Sequence, residues 1–486
     1  MSQKRLLTDV VFYGGMFLLQ RAFNFLLIPI YTRALSQADY GILDLMLALV
    51  QMAFIGFNWQ HVYAINRFYP KAKEEDRHRE LIGTFIVTSV GVSSLGVALL
   101  LGMGHLGLLE ADFLPSFSSY TTVWWVFLLS IPIHQAFEVL LVQAIVGRSK
   151  RLFMVGSLIS TVFIGLMCVL FVVVFNMGIL GVAVGQLVGR VVALVVQYAG
   201  LRREVRLTFR WAVLKPALKY TLPLVPGEWL IFSSVSVSHF FIMGHLGPEE
   251  VAVFAIASKA LMMVSFINMS FQNAWQPLAM RAIGQQGSHL FYVQSLRMHV
   301  AGSLLGLFLI TALASVITAV LAPPSYAAAA RYLPLMAVAG ILSGTAATLQ
   351  LGNQITKKTI WMTAANFASL SVNLGFLILL TGRLSIWAAV AGAISGGLCQ
   401  WLVARVSSHR NYPLPHRADT FVLLFMGLVL SVLLTMFVQP RAPLAIYAPA
   451  TMLLGLTLAW RVFPRQERVV VIARVRQLLA RRGSGD

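Results

Sequence analysis

The sequence has little charge, and acidic residues are especially scarce. Only 11% of the 486 residues are charged, and Asp and Glu together number 17. Soluble globular chains carry about 25% charged residues, so this chain has too little polar surface to stay in water. The composition therefore excludes a soluble nucleic-acid-binding protein, even though 37 Lys and Arg residues give a formal net charge of +20.

Cysteine is almost absent, and the motifs of soluble enzymes are missing. Cys168 and Cys399 lie inside apolar runs, which predicts packing residues and excludes a disulfide framework. The sequence contains no Gly-rich phosphate loop ending in Lys and Ser or Thr, and no His/Cys set with zinc spacing. We therefore expect no catalytic residues, no cofactor and no bound metal.

Apolar sequence is abundant instead, at 58% of the residues, with a mean hydropathy of +0.80. A helix needs about 20 apolar residues to cross the bilayer. Fourteen such runs occur, approximately at Val10–Tyr31, Gly41–Asn66, Leu81–Leu106, Tyr120–Ile145, Leu152–Phe175, Gly178–Gly200, Leu218–Met243, Val251–Phe271, Met298–Ala322, Tyr332–Leu351, Thr359–Leu380, Ser385–Val406, Thr420–Val438 and Ala445–Val462. They predict an all-α polytopic membrane protein with about fourteen transmembrane helices.

The basic residues divide unevenly between the two sides of these spans. With a cytoplasmic N-terminus, 30 of the 37 Lys and Arg residues fall on the cytoplasmic side, 4 on the other side and 3 within spans. This distribution predicts an even number of spans with both termini in the cytoplasm. Arginines at 465–482 alternate with apolar residues, which indicates a basic amphipathic helix on the inner leaflet or, alternatively, a solvated topology signal.

Three segments recur in the same order at offsets of 207–211 residues. The pairs are Ala34–Gly41 with His245–Ala252, Ser149–Leu152 with Thr356–Thr359, and Ile179–Gly185 with Ile386–Gly392. Since each half holds six spans, the halves have the same orientation, and such parallel repeats are typical of transporters. We predict an N-terminal six-helix lobe at 1–205, a C-terminal six-helix lobe at 206–415, two extra helices at 416–464 and the basic tail at 465–486.

Several short motifs occur in order along roughly the first 410 residues. They are Pro29–Leu35, Asp39–Gly41, Tyr220–Pro226, Ala257–Lys259, Ala274–Pro277, Tyr326–Pro334, Lys357–Thr359, Asn366 and Asn373. In order and spacing they resemble Wzx-type polysaccharide flippases of the multidrug/oligosaccharidyl-lipid/polysaccharide exporter superfamily. The chain departs from that pattern late in span 7, where Ser238 and His239 replace an Asp-Arg pair, so the role of that pair does not carry over.

The resemblance implies a V-shaped pair of lobes in which spans 1, 2, 7 and 8 line a cavity. It implies a transporter, not an enzyme, that flips polyprenyl-diphosphate-linked oligosaccharides to the periplasmic leaflet of the bacterial inner membrane by alternating access, for exopolysaccharide or O-antigen synthesis. Its expected partners are membrane lipids, the lipid-linked glycan and a glycan polymerase or co-polymerase. Energy is expected from a proton or Na⁺ gradient, or from consumption of the product.

Cations within spans are candidate phosphate ligands, because a diphosphate that leaves water needs protein donors. Arg21 lies midway along span 1 near Asn24, and Lys259 lies inside span 8. We predict that these three residues bind substrate. The alternatives are an interhelical hydrogen bond for Arg21 and snorkelling for Lys259. Arg190 in span 6 is interpreted as a packing residue.

Five residues at span ends are further candidates for substrate binding. Arg67, Arg281 and Arg297 lie near inner ends and together predict a cationic vestibule, although each alone is more typical of a topology signal. Arg33, near the outer end of span 1, is a candidate for substrate release or for closing an outer gate. His239 is a candidate phosphate donor, although lone membrane histidines are more often packing residues.

The few acids within spans are candidates for ion coupling. Glu228 follows Pro223 and Pro226, whose missing backbone donors loosen span 7. We predict that Glu228 couples transport to a proton or cation, and the alternative is a structural ion pair with Arg21 or Lys259.

The other two acids within spans are expected to have local roles. Asp44 is predicted to cap span 2. Glu138 is predicted to pair with His134 on one face of span 4, because the two residues are four positions apart.

Two rival functions remain open. An ion-coupled multidrug or metabolite antiporter of the same superfamily is expected to need an acidic cavity, whereas the predicted spans contain Arg21 and Lys259. A membrane-embedded glycan-modifying enzyme usually needs a long outer loop or a paired His and Asp, and the outer loops here are short. We therefore favour the flippase.

Overall fold

The computed structural model describes residues 3–110, 114, 118–415 and 417–464, which form helices and no β-strand. The first ten helices are α1 (Gln3–Ala34), α2 (Gln37–Asn58), α3 (His61–Glu74), α4 (His78–His105), α5 (Thr121–Val146), α6 (Lys150–Leu158), α7 (Ile164–Val169), α8 (Gly178–Leu201), α9 (Trp211–Thr221) and α10 (Val225–Leu246). The others are α11 (Pro248–Arg281), α12 (Ser288–Leu321), α13 (Ala329–Leu349), α14 (Leu351–Ile355), α15 (Ile360–Leu384), α16 (Ile386–Asn411), α17 (Ala418–Leu433) and α18 (Leu444–Arg461). Short stretches of other helix types occur as π-helix at Ile159–Phe163, Leu170–Val174 and Leu434–Val438, and as 3-10 helix at Arg202–Glu204, Leu222–Leu224 and Pro324–Tyr326.

The predicted all-α polytopic fold is confirmed. Among the described residues, 12 helices are long and apolar enough to cross a membrane. The remaining two predicted spans, the first and the seventh, correspond to α1 and to α9 with α10. A 3-10 turn containing Pro223 separates α9 from α10, as expected for a residue that lacks a backbone donor. The predicted amphipathic tail at 465–482 lies outside the described residues.

The helices form two compact units. Of the described residues, the first unit contains those up to 255 together with 321–326, and the second contains 256–320 and those from 327 to 464. Met46, Phe127 and Ile131 are fully buried in one core of the first unit. The first unit includes α9 and α10, while the predicted boundary at residue 205 stays a prediction.

Close backbone packing in the first unit explains a glycine of the repeated segment. A Cβ atom on Gly41 of α2 would clash with the carbonyl oxygen of Pro248, the first residue of α11. Only glycine permits this approach. The N-cap of α2 is Ser36, whose Oγ accepts a hydrogen bond from the Asp39 amide at 3.1 Å. The prediction that Asp44 caps this span is therefore wrong.

The second predicted span is broken near its middle. Trp59 and Gln60, which separate α2 from α3, have φ values of 48° and 57°. Side chains with a Cβ rarely adopt this left-handed conformation, and two in succession redirect the chain between the two helices. Neither residue is Gly or Pro, so the sequence did not predict the break.

A buried polar network joins three helices of the second unit. His299 on α12 lies 2.8 Å from Thr348 Oγ1 through its Nδ1 and 3.0 Å from Asn268 Oδ1 through its Nε2. Gln272 Nε2 donates to the same threonine oxygen at 2.9 Å. The Phe271 ring stacks on the imidazole at 4.4 Å. Because both imidazole nitrogens have partners, the network fixes the packing of α11, α12 and α13.

Candidate functional site

Four residues of the first unit form a cation–aromatic patch. The guanidinium carbon of Arg67 lies 4.6 Å from the centroid of the Tyr220 ring. Tyr63 Oη donates a hydrogen bond to Glu228 Oε1 at 3.5 Å. Tyr63 and Arg67 are four residues apart on one face of α3, opposite the α9–α10 junction. We call Tyr63, Arg67, Tyr220 and Glu228 the α3–α10 patch.

The proline pattern of span 7 positions two members of this patch. Pro223 lies in the 3-10 turn after α9, and Pro226 occupies the first turn of α10. Proline is favoured there because the first helical amides need no intrahelical acceptor. Glu228 therefore falls in the first turn of α10, where the helix dipole stabilises a carboxylate. Tyr220 precedes the turn and contacts α3.

The patch is open to a ligand. Tyr63 is 46% exposed and Tyr220 is 38% exposed, and Arg67 is exposed as well. A guanidinium held over an aromatic ring keeps its planar donors free for bidentate bonds to phosphate. Exposed aromatic rings with a polar hydroxyl offer an apolar face and a hydrogen bond together. These groups can bind an anionic headgroup that also carries polar rings.

The first unit also contains an apolar cavity of about 350 Å³. Trp229, which follows Glu228 in α10, lines it. Met52, Gly56 and Phe57 of α2 line it together with Trp124 of α5. A Cβ atom on Gly56 would lie 3.6 Å from Trp229 Nε1, so this glycine leaves space beside the indole. An apolar cavity of this kind binds apolar groups in preference to water.

His239, a predicted substrate ligand, pairs with an acid. Its Nε2 lies 3.3 Å from Asp44 Oδ2, which joins α10 to α2. The imidazole is 4% exposed and packs edge-on against Phe254 at 5.0 Å between ring centroids. The position of this pair favours a structural role for His239 over contact with substrate.

The predicted substrate ligands of α1 occupy different levels of that helix. Arg21 is half-buried and Asn24 is exposed. Arg33 is exposed, and its Nη1 donates to the Pro29 carbonyl at 3.0 Å. Arg21 and Arg33 are separated by about 18 Å along the helix axis, since an α-helix rises 1.5 Å per residue. They therefore cannot hold one phosphate together.

The candidate cations of the second unit differ in exposure. Arg297 on α12 is 5% exposed, although it was predicted to line an open vestibule. Arg281, the last residue of α11, is exposed, and Lys259 is half-buried. Of these three, Arg281 is the one with its side chain at the surface of its unit.

The sequence does not single out the aromatic half of the patch. Tyr220 lies within the Tyr220–Pro226 motif, and Tyr63 lies in none of the motifs. The available signal was the spacing of Tyr63 and Arg67, which places an aromatic ring and a cation on one helical face. The partner helix was not predictable, because contact with α9 depends on the break at Trp59 and Gln60.

Fold and site together define a polytopic α-helical membrane protein with a cation–aromatic patch and an apolar cavity in its first unit. A family model described as polysaccharide biosynthesis protein matches residues 6–282, which is more than half of the chain. The chain therefore belongs to the polysaccharide biosynthesis protein family. A second model, MatE, matches residues 227–379. No curated protein sequence matches the chain.

Solved structures share the fold at low sequence identity. The chain is similar to the lipid II flippase MurJ in an inward closed conformation, with a TM-score of 0.74 and 11% identity over 93% of this chain and 98% of that one. An inward-facing multidrug resistance MATE family transporter of the MOP superfamily gives a TM-score of 0.59 and 15% identity, over 80% of this chain and 94% of that one. The eukaryotic MATE transporter AtDTX14 gives 0.59 and 13%, over 89% and 99%. The fold is therefore the one shared by MurJ and the MATE transporters.

Proposed function

We propose that the protein is a flippase that moves a polyprenyl-diphosphate-linked oligosaccharide from the cytoplasmic to the periplasmic leaflet of the bacterial inner membrane. The observation that carries this proposal is the placement of Arg67 over Tyr220 beside Tyr63 and Glu228. The glycan serves exopolysaccharide or O-antigen-type synthesis, and transport proceeds by alternating access. Membership of the polysaccharide biosynthesis protein family supports the assignment.

The patch fits the polar part of such a substrate. A diphosphate cannot enter hydrocarbon without replacements for its hydration, and Arg67 supplies a planar cation for it. Tyr63 and Tyr220 offer ring faces and hydroxyls to the first sugars. Because Arg67 lies on the predicted cytoplasmic side, it captures the headgroup in the leaflet where synthesis ends.

The cavity at Trp229 fits the apolar part. The substrate joins a polar headgroup directly to a prenyl chain, so its site needs a polar and an apolar surface in succession. Glu228 belongs to the patch, and Trp229, the next residue along α10, lines the cavity. The first prenyl carbons occupy the cavity while the rest of the chain stays in lipid.

The remaining candidate ligands extend this proposal. Arg21, Asn24 and Lys259 bind the headgroup during passage, and exposed Arg281 contributes to its capture on the cytoplasmic side. Arg297 supports the same region from a buried position, and Arg33 acts at release. Glu228 couples transport to a proton or Na⁺ gradient through its bond to Tyr63. A glycan polymerase or co-polymerase receives the product.

A second candidate is an ion-coupled multidrug or metabolite antiporter, which the MatE match over residues 227–379 favours. The two functions differ in the charge of the expected substrate. An organic cation would be repelled by Arg67 and attracted by Glu228, whereas a diphosphate would show the opposite behaviour. Deletion of the gene separates them, since the flippase predicts loss of one surface or secreted glycan and the antiporter predicts a change in drug sensitivity with glycans intact.

Arg67→Ala tests the site directly. We expect glycan export to fall roughly tenfold or more at an unchanged protein level, because a hydrogen bond to a charged group is worth about 1.5–3 kcal/mol. Lys71→Ala is the matched control. Lys71 is an exposed cation one turn further along α3 and pairs only at 3.8 Å with Glu75. Equal export by both variants would reject the proposed role of the patch.

A further inference from the structure

A second group of ionisable side chains surrounds the break between α2 and α3 in the first unit. Asn58, the last residue of α2, donates through Nδ2 to Glu138 Oε2 on α5 at 3.4 Å. Glu138 interacts electrostatically with Arg190 on α8, and Arg190 also donates to Ser130. His61 is the first residue of α3. None of these residues belongs to the α3–α10 patch.

His61 carries an unused proton acceptor. Its side chain is 2% exposed, and its Nδ1 lies 3.0 Å from the Asn58 carbonyl oxygen. Since a carbonyl only accepts, Nδ1 carries the hydrogen and Nε2 carries the lone pair. Among the described residues, Nε2 of His61 has no hydrogen-bond partner. A buried acceptor without a partner is costly, and a proton removes that cost only if the new charge is compensated.

Helix α5 holds the end of α2 beside this acceptor. Gln135 Nε2 donates to the Phe54 carbonyl at 2.9 Å, in the last turn of α2. The His134 ring stacks on the Phe54 ring at 4.4 Å between centroids, with 27° between the planes. His134 and Glu138 also interact electrostatically with Arg190. His134 therefore both contacts the end of α2 and belongs to the group of ionisable side chains.

The net charge of this group changes when one proton is added. Ionised Glu138 and Arg190 compensate each other while both imidazoles are neutral. One added proton leaves a net positive charge within the membrane span, which is expensive unless the packing changes. The left-handed residues Trp59 and Gln60 already interrupt the helix there, so the break is the element best able to change.

The surrounding elements carry further ionisable groups. Cys168 on α7 interacts with Arg190 and with Tyr31 on α1, while α4 has no ionisable side chain between Glu80 and His105. The other groups of α3, α9, α10 and the start of α6 are Tyr63, Arg67, Tyr69, Lys71, Lys73, Glu74, Lys215, Lys219, Tyr220, Glu228, His239, His245, Lys150 and Arg151. Of these, Glu228 contacts Tyr63 and His239 contacts Asp44, as described above.

We propose that His61, His134 and Glu138 form a proton-binding site beside Arg190, and that its occupancy sets the bend between α2 and α3. The proton comes from water and binds the Glu138 carboxylate, with the lone pair of His61 Nε2 and the His134 ring as neighbouring acceptors. A metal cation is a poorer occupant, because Arg190 repels it without offering a ligand. The site is independent of which substrate the protein carries.

The test measures the bend in the purified full-length protein in lipid nanodiscs. Spin labels are attached at Gln51→Cys on α2 and Lys73→Cys on α3, both exposed positions, in a chain with Cys399→Ser. Buried Cys168 is retained. We expect the distance between the labels to differ between pH 5.5 and pH 8. His61→Gln and Glu138→Gln should each abolish that difference, and His134→Gln serves if one of them fails to fold.

His105→Gln is the matched control, because His105 is an exposed imidazole on α4 of the same unit. It should keep the pH-dependent distance. A distance that is equal at both pH values in the parent protein would overturn the proposal, as would a pH response that persists in the folded His61 and Glu138 variants. A response to added Na⁺ at pH 8, without a response to pH, would also overturn it in favour of a sodium site.

Discussion

Asp44 and His239 lie on different helices, far apart in the sequence, and meet at 3.3 Å. The imidazole is buried, so removal of the carboxylate leaves a polar ring without its charged neighbour. The contact joins α2 to α10 within the first unit.

We expect Asp44→Asn and His239→Asn each to reduce the free energy of unfolding by about 1–3 kcal/mol, the usual penalty for a buried polar group that loses its partner. The double variant should be less destabilised than the sum of the two. Thermal melting of purified protein measures all three. Fully additive losses would mean that the two side chains do not interact.

At the scale of elements, the second span is a helix in two parts. Ser36 fixes the start of α2 by capping it, and Gly41 allows it to approach α11 closely. The left-handed pair Trp59 and Gln60 then ends α2 and starts α3 in a new direction. The α3–α10 patch exists only because α3 takes that direction and brings Arg67 to Tyr220.

Gln60 is the position where this geometry can be tested. Gln60→Val should destabilise the protein by about 1–2 kcal/mol, because a left-handed conformation is costly for a side chain with a Cβ, and a β-branched residue is a stronger outlier. Gln60→Gly should be tolerated or mildly stabilising. Gln51→Val, at an exposed helical position of α2, is the control. Melting temperatures in detergent that rank Gly below Val at residue 60 would contradict the left-handed assignment.

At the scale of the whole molecule, hydrophobic length and charge made the fold predictable. Apolar runs of bilayer length predicted the helices because no other element satisfies its backbone inside lipid. The interruption at Pro223 was predictable because proline lacks a backbone donor. The break at Trp59 and Gln60 was not, because neither residue is a known helix breaker. The pairing of Tyr220 with Arg67 depends on that break, so it was not predictable either. The network around His299 was not predictable because its members lie far apart in the sequence.

Orientation remains a prediction of the positive-inside distribution and can be measured. A fluorescent protein fused to the C-terminus should be fluorescent in cells, because that end is predicted to be cytoplasmic. Alkaline phosphatase fused after Gly107, between predicted spans 3 and 4, should be active, since that loop is predicted to be periplasmic. A fusion after Arg148, predicted to be cytoplasmic, is the control. Phosphatase activity at Arg148 would invert the topology.

The π-helical stretches Ile159–Phe163 and Leu170–Val174 affect how the fifth span compares with that of related proteins. Each widened turn accommodates one residue more than an α-helical turn, so the helix face advances by about 100°. A relative with a regular α-helix there keeps the same faces only if it is one residue shorter at each stretch. Correct alignments of this span should therefore contain two single-residue gaps, and an ungapped alignment would pair lipid-facing positions with buried ones.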